Sequence, residues 1–315
     1  SSAAWWSACT CPSSSSPRRF DRDAKRLVLI DVFQQPAWLV GCTFFFGLLI
    51  GSFLNVVILR VPPRMEWQWR RDSREILGIE GDDGPQPPGI VIERSFCPRC
   101  HQQLTALDNV PLLSWLALRG RCRYCRTPIS FQYPAVELLT GLASAVVVWH
   151  FGPNWQSLAA LAFTWTLIAL SGIDLRTTLL PDQMTLPLLW LGLLASTAGL
   201  FVEPVSAISG AAVGYLSLWS VYWLFKLVTG KEGMGQGDFK LLAALGAWCG
   251  LGGIFPIVLV SALLGAVIGS VWLLARGRDR ATPIPFGPYL AVAGWVQLLW
   301  GKLLIDAYLY FAGLR

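Results

Sequence analysis

The chain has 315 residues, of which 54% are hydrophobic and only 14% charged. A soluble domain carries about 25% charged residues, so the balance excludes an ordinary soluble protein and predicts a polytopic membrane protein. The net charge of +6 would suit nucleic acid, but its placement along the chain fits membrane topology instead, and no nucleic-acid partner is expected.

Residues 1–35 precede any apolar span and read as a disordered or non-native extension. Ser13 to Ser16 and Cys9-Thr10-Cys11-Pro12 lack a core-forming pattern. The basic cluster Arg18, Arg19, Arg22, Lys25 and Arg26 follows no apolar stretch, which argues against a signal peptide. Cys9 and Cys11 read as free thiols rather than metal ligands.

Apolar runs then recur near 36–59, 134–151, 155–173, 184–202, 206–228, 239–252, 254–275 and 287–311. Most reach the ~17–25 residues that cross a bilayer. The expected fold is therefore all-α, with about eight transmembrane helices. The run 239–252 is short, and is expected to be tilted or continuous with the Gly-rich loop before it. Gly47 with Gly51, and Gly210 with Gly214, are spaced to let helices pack closely.

Orientation follows from the basic residues. Eleven arginines fall in 60–133, and the same side receives Arg176, Lys226, Lys231, Lys240, Arg276, Arg278 and Arg280. The opposite loops near 152–154, 203–205 and 253 hold neither Lys nor Arg. The basic side is thus expected in the cytosol, with both termini away from it. The cluster at 18–26 runs against that arrangement.

The soluble region 60–133 follows Gly51-Ser52-Phe53-Leu54-Asn55 in the first span. Asn55 either binds a ligand or bonds a neighbouring helix. Residues 64–79 mix Trp67, Trp69 and Ile76 with charges of both signs, and are expected as a separate helix at the membrane surface. Gly81 to Gly89 reads as a flexible turn. Cys97-Pro98-Arg99-Cys100 and Cys122-Arg123-Tyr124-Cys125 then form two C-x-x-C pairs with zinc-ribbon spacing. Four thiolates would close a tetrahedron around Zn²⁺ with no open position, so the metal would be structural. A cytosolic location disfavours disulfides. His101 is expected to be a bystander.

Glu137, in Tyr133-Pro134-Ala135-Val136-Glu137, would lie about one turn inside the second span, either touching substrate or cofactor or capping a buried Arg. His150 reads as interfacial. The third span ends in Ile173-Asp174-Leu175-Arg176, followed by Leu180-Pro181-Asp182. Gly233-Met234-Gly235-Gln236-Gly237-Asp238-Phe239-Lys240 carries a second membrane-edge aspartate behind three glycines. Such acids are costly to desolvate and are functional candidates by default. At one depth, Asp174 and Asp238 could share a proton, one acting as base and the other as acid. Asp182 competes for the role, but is placed to N-cap the fourth span. The two histidines form no H-E-x-x-H, and no G-x-S-x-G occurs.

From Pro36 to Phe311 the chain resembles the bifunctional type IV prepilin peptidases, membrane aspartic proteases of bacteria. The likeness rests on Gly51 to Asn55, both Cys pairs, Tyr133 to Glu137, Ile173-Asp174 with Leu180-Pro181-Asp182, Gly233 to Lys240, and Pro285-Phe286-Gly287-Pro288. It implies that Asp174 and Asp238 are catalytic. It also implies a multi-pass enzyme of the inner membrane that removes a basic leader from prepilins and pseudopilins after a glycine, on the cytosolic side. The new N-terminal residue, usually Phe, is then methylated from S-adenosylmethionine. The domains expected are a first transmembrane helix (36–59), a zinc-binding, methylation-associated loop (60–133) and a protease domain (134–315). Two other readings stay open: a transporter that uses the aspartates for proton or cation coupling, and a methyltransferase or scaffold without protease activity.

Overall fold

The structure, a computed structural model, describes residues 36–79, 81, 84–91, 93–105, 107–231, 234–276 and 285–311. The expectations for residues 1–35, Gly233, Arg278 and Arg280 fall outside them. Nine α-helices form among the described residues: α1 (Ala37–Leu77), α2 (Leu113–Ala117), α3 (Gln132–Phe151), α4 (Trp155–Thr177), α5 (Asp182–Thr197), α6 (Pro204–Thr229), α7 (Gln236–Cys249), α8 (Leu251–Arg276) and α9 (Gly287–Phe311). β-Structure among these residues is limited to two isolated bridges. Every expected span is a helix, and five helices (α1, α3, α4, α6 and the Leu251–Val271 part of α8) are long and apolar enough to cross a membrane.

The first helix departs from the sequence reading. It continues through Pro62 and Pro63 to Leu77, so the amphipathic segment is its extension and not a separate element. At 1.5 Å per residue, its 41 residues run to about 60 Å, roughly twice the bilayer core. It ends at Gly78, whose φ of 61° lets its N–H turn back to Arg74 and Glu75 carbonyls. The segment expected to be a flexible turn lies along this extension. Arg60 donates to the Gly89, Glu93 and Arg94 carbonyls, Arg64 to Pro87 and Trp67 Nε1 to Gly84.

The centre of the bundle is α7. Its 14 residues are too few to cross a bilayer alone, and it begins inside the Gly-rich loop. From Asp238 to Trp248 nearly every residue is buried, against α4, α5, α6, α8 and α9. A helix apolar all round fits only at such a centre. Small residues let its neighbours approach. A Cβ on Gly210 of α6 would stand 2.5 Å from the Gly246 carbonyl oxygen, and one on Gly214 2.7 Å from that of Leu242. Gly192 of α5 leaves room for the Trp248 indole, which donates to the Leu188 carbonyl at 2.8 Å. On the other side α1 packs mainly on α3, where a Cβ on Gly47 would meet Ser144 Oγ at 2.8 Å.

At Gly210 the contact is backbone against backbone, with no flexible side chain to yield. Gly210→Val is expected to destabilise the bundle by about 1–3 kcal/mol, read as a lower thermal unfolding midpoint in detergent. Gly41→Ala, with open space around it, is the control and should stay within ~0.5 kcal/mol of the parent.

Candidate functional site

Helix α4 ends just beyond Asp174. Thr178 takes up φ 54°, and its N–H closes on the Asp174 carbonyl at 2.8 Å. The Asp174 side chain, 4% exposed, accepts the Gly287 N–H at the start of α9 at 2.9 Å. A Cβ on Gly287 would stand 2.7 Å from Asp174 Oδ2, so only glycine lets the amide come this close. Asp238, 7% exposed, is the third residue of α7. The Gly237 beside it presses against Leu180, whose Cβ a Gly237 side chain would meet at 2.7 Å. The same leucine reaches the Cβ position of Gly287 at 3.2 Å. One residue therefore packs against both the glycine beside Asp238 and the glycine whose amide bonds Asp174, which brings the two buried carboxylates to one locality. Two such buried acids titrate as a pair.

Asp182 does not cap α5. Pro181 holds the N-cap position with no side-chain cap bond, and Asp182 is the first helical residue. Its carboxylate takes both hydrogen bonds from Lys240 Nζ, at 2.6 and 2.7 Å. The reason is position: Lys240, two residues past Asp238, reaches across from α7, and an ion pair outbids a weaker amide cap. Sequence inspection also missed Gly287 as a donor. The signal for it was a Gly-Pro step opening an apolar span.

The four cysteines converge. Sγ atoms of Cys97, Cys100, Cys122 and Cys125 all lie within 4.8 Å of one another. Cys97 and Cys125 sulfurs are 3.7 Å apart, close to the ~3.8 Å edge of a tetrahedron with 2.3 Å Zn–S bonds. The two C-x-x-C turns repeat one geometry. His101 N–H bonds Cys97 O and Arg126 N–H bonds Cys122 O, with φ of 56° and 58° at those residues. The Thr127 hydroxyl and N–H pull the Cys125 thiol down to about 6. Cys100 stands at about 11, because the Gln102 N–H that favours its thiolate is outweighed by burial and by the neighbouring sulfurs. Such crowding of thiolates suits a divalent cation. His101 stands outside the cluster, exposed and stacked on Phe96.

The ribbon is tied to the membrane helices at Glu137. This carboxylate, 7% exposed, accepts the Leu112 N–H at 2.8 Å, at the start of α2; no arginine is paired with it among the described residues. One turn earlier on α3, the Tyr133 carbonyl accepts Asn55 Nδ2 at 3.0 Å, so Asn55 does bond a neighbouring helix. Within the ribbon, Asp108 is held by the Thr105 hydroxyl at 2.7 Å and by Arg123 Nε at 2.8 Å. Those contacts hold its carboxyl below the usual range, with the Thr105 hydrogen bond the largest cause. A carboxylate depressed in the folded state stabilises at pH values above its unfolded value, and the gain is lost as pH falls through the folded one. Asp108→Asn is expected to raise amide exchange across 105–129 at neutral pH, and to narrow the gap from the parent as the pH drops below ~4.

The sequence was compared with known proteins. The family model described as "Bacterial Peptidase A24 N-terminal domain" matches residues 45–151, and that described as "Type IV leader peptidase family" matches 161–270. A prepilin leader peptidase/N-methyltransferase of Xanthomonas campestris pv. campestris is 64% identical over 269 residues, covering 85% of this chain and 94% of the relative. Proteins of the same name from Pseudomonas aeruginosa and Aeromonas hydrophila are 53% and 52% identical, covering 89% and 90% of this chain and 97% and 98% of theirs. No solved structure matches the chain. Nothing in these likenesses supports the transporter reading. With both halves matched and nearly the whole of each relative covered, the chain belongs to the Type IV leader peptidase family.

Proposed function

We propose that this protein is a membrane aspartic endopeptidase and S-adenosylmethionine-dependent N-methyltransferase of the bacterial inner membrane. Its substrates are type IV prepilins and type II pseudopilins, from which it removes the leader after a glycine on the cytosolic side before methylating the new N-terminus. The observation that carries the reading is the pair of buried carboxylates, Asp174 and Asp238, meeting around Leu180 at adjacent helix ends. The names of the relatives, which join leader peptidase to N-methyltransferase, support both activities.

For proteolysis, one carboxylate takes a proton from water as it attacks the scissile carbonyl. The other, protonated, delivers its proton to the leaving amide nitrogen. The Gly287 N–H bonded to Asp174 favours the ionised form of that residue, which assigns Asp174 as the base and Asp238 as the acid. The exposed Gly235, one turn before Asp238, leaves the backbone there free of a side chain, so an extended substrate can approach. Cys97, Cys100, Cys122 and Cys125 would hold a structural zinc, supplying folding energy to a small polar loop. S-adenosylmethionine would supply the methyl group. In this reading residues 60–133 serve methylation and 134–315 proteolysis, the boundary at residue 60 lying within a continuous helix.

Mass spectrometry of a co-expressed prepilin reports leader removal and methylation together. Asp174→Asn and Asp238→Asn are each expected to lower cleavage by a factor of about 10² or more, while Asp182→Asn retains substantial activity. Efficient cleavage by purified Asp174→Asn protein overturns the assignment.

The double variant Cys97→Ser, Cys100→Ser tests the metal. It should lose bound zinc and methyl transfer and keep leader removal, because the aspartates are held by membrane packing. Equal loss of both reactions, in protein still inserted, contradicts that division of labour; full zinc content contradicts the ligand set.

A further inference from the structure

We propose that the seam between α1 and α3, at Asn55 and Glu137, is the site that holds the primary amine to be methylated. The inference rests on the two-reaction reading above and extends it to the second reaction. Its starting point is an orphaned atom. Asn55 is 2% exposed, and its amide nitrogen donates to Gly51 and Tyr133 carbonyls at 3.3 and 3.0 Å. Its Oδ1 is buried without a hydrogen-bond partner. A buried acceptor left unpaired is costly, and native structures rarely keep one without a reason.

A second acceptor stands beside it. Asn55 faces Tyr133, and Gly51, one turn away on α1, faces Glu137, one turn away on α3; a Cβ on Gly51 would stand 2.7 Å from Glu137 Cα. Glu137 receives the Leu112 N–H, which leaves most of its capacity for about four hydrogen bonds unused. No cation is paired with it among the described residues. The seam thus offers a buried carboxylate and a buried amide oxygen, both acceptors. The complementary ligand is a small cation rich in N–H donors, and a primary ammonium fits.

The location suits the product of proteolysis. Arg176, two residues past Asp174, donates to Gln132 Oε1 at 2.8 Å, and Gln132 precedes the Tyr133 that Asn55 bonds. The seam and the aspartates therefore share the cytosolic ends of adjoining helices, and a newly freed N-terminus has a short path between them. The Cys-bearing ribbon closes over the seam through Leu112. The chemistry balances: Glu137 takes a proton from the ammonium, and the nitrogen lone pair forms the N–CH₃ bond. The C–S bond of a sulfonium donor breaks, and the thioether leaves with its electron pair.

The test uses the full-length protein in detergent. A synthetic peptide copying a mature pilin N-terminus is prepared with a free or an acetylated amine, and binding is read by fluorescence anisotropy with no methyl donor present. The free amine is expected to bind about tenfold to a hundredfold tighter. Glu137→Gln and Asn55→Leu should each reduce that preference and abolish methylation, with leader removal and zinc content unchanged. Equal binding of the two peptides by the parent protein overturns the proposal without recourse to any variant, as does a preference that survives both substitutions. Should Glu137→Gln fail to insert, the comparison of free and acetylated peptide on the parent protein carries the test, and equal binding counts against the proposal. Leader removal measured on the same samples separates the two levels. A parent protein that cleaves yet shows no amine preference sinks only this inference, and one that cleaves no prepilin sinks the reading beneath it.

Discussion

Two carboxyl groups have to be kept out of water, close together, at the ends of membrane helices. Each costs free energy to bury, and each repels the other when both are charged. The protein answers with backbone geometry. An amide from α9 is brought onto Asp174 because Gly287 has no side chain in the way. Leu180 reaches both Gly237 and Gly287 for the same reason. The Lys240–Asp182 pair then fastens α7 to α5 just outside the buried region, where an ion pair tolerates partial exposure. Removing any one of these glycines would force apart the helix ends that carry the acids.

The loop between the first two membrane helices solves a different problem. It is too polar to bury a core of its own, so its order comes from outside. Arg60 and Arg64 on the extension of α1 collect the loop carbonyls, Glu137 on α3 collects the Leu112 amide, and the Cys cluster closes the far end. Charged donors on a rigid helix satisfy backbone acceptors that would otherwise have only water. The ribbon is thereby held in register with the membrane helices at three separate places.

Much of this was legible in the sequence, for physical reasons that differ residue by residue. Asp174 and Asp238 stand out because acids are rare in apolar runs, and the Cys pairs because metal geometry fixes their spacing. Gly210 and Gly214 announced close packing correctly. The role of Gly287 was missed, because its Gly-Pro step announces the start of a helix and not which side chain the glycine's amide will bond. Asp182 misled because an acid before an apolar run is a good cap in isolation, and only the fold brings Lys240 within reach. The unbroken α1 was missed because Pro62-Pro63 and the switch from apolar to charged residues both suggest a boundary. Tertiary support from the strapped loop offsets that local preference.

The shortness of α7 bears on what keeps it in the membrane. A 14-residue helix spans about 21 Å, well short of the ~30 Å hydrocarbon layer, and carries an aspartate at its entry. It has little tendency to partition into lipid by itself. Its stable position exists only once α4, α5, α6, α8 and α9 stand around it. Packing against those helices, and not its own hydrophobic length, thus holds α7 and Asp238 in place. The register of the two aspartates is therefore a property of the whole bundle and not of either segment alone.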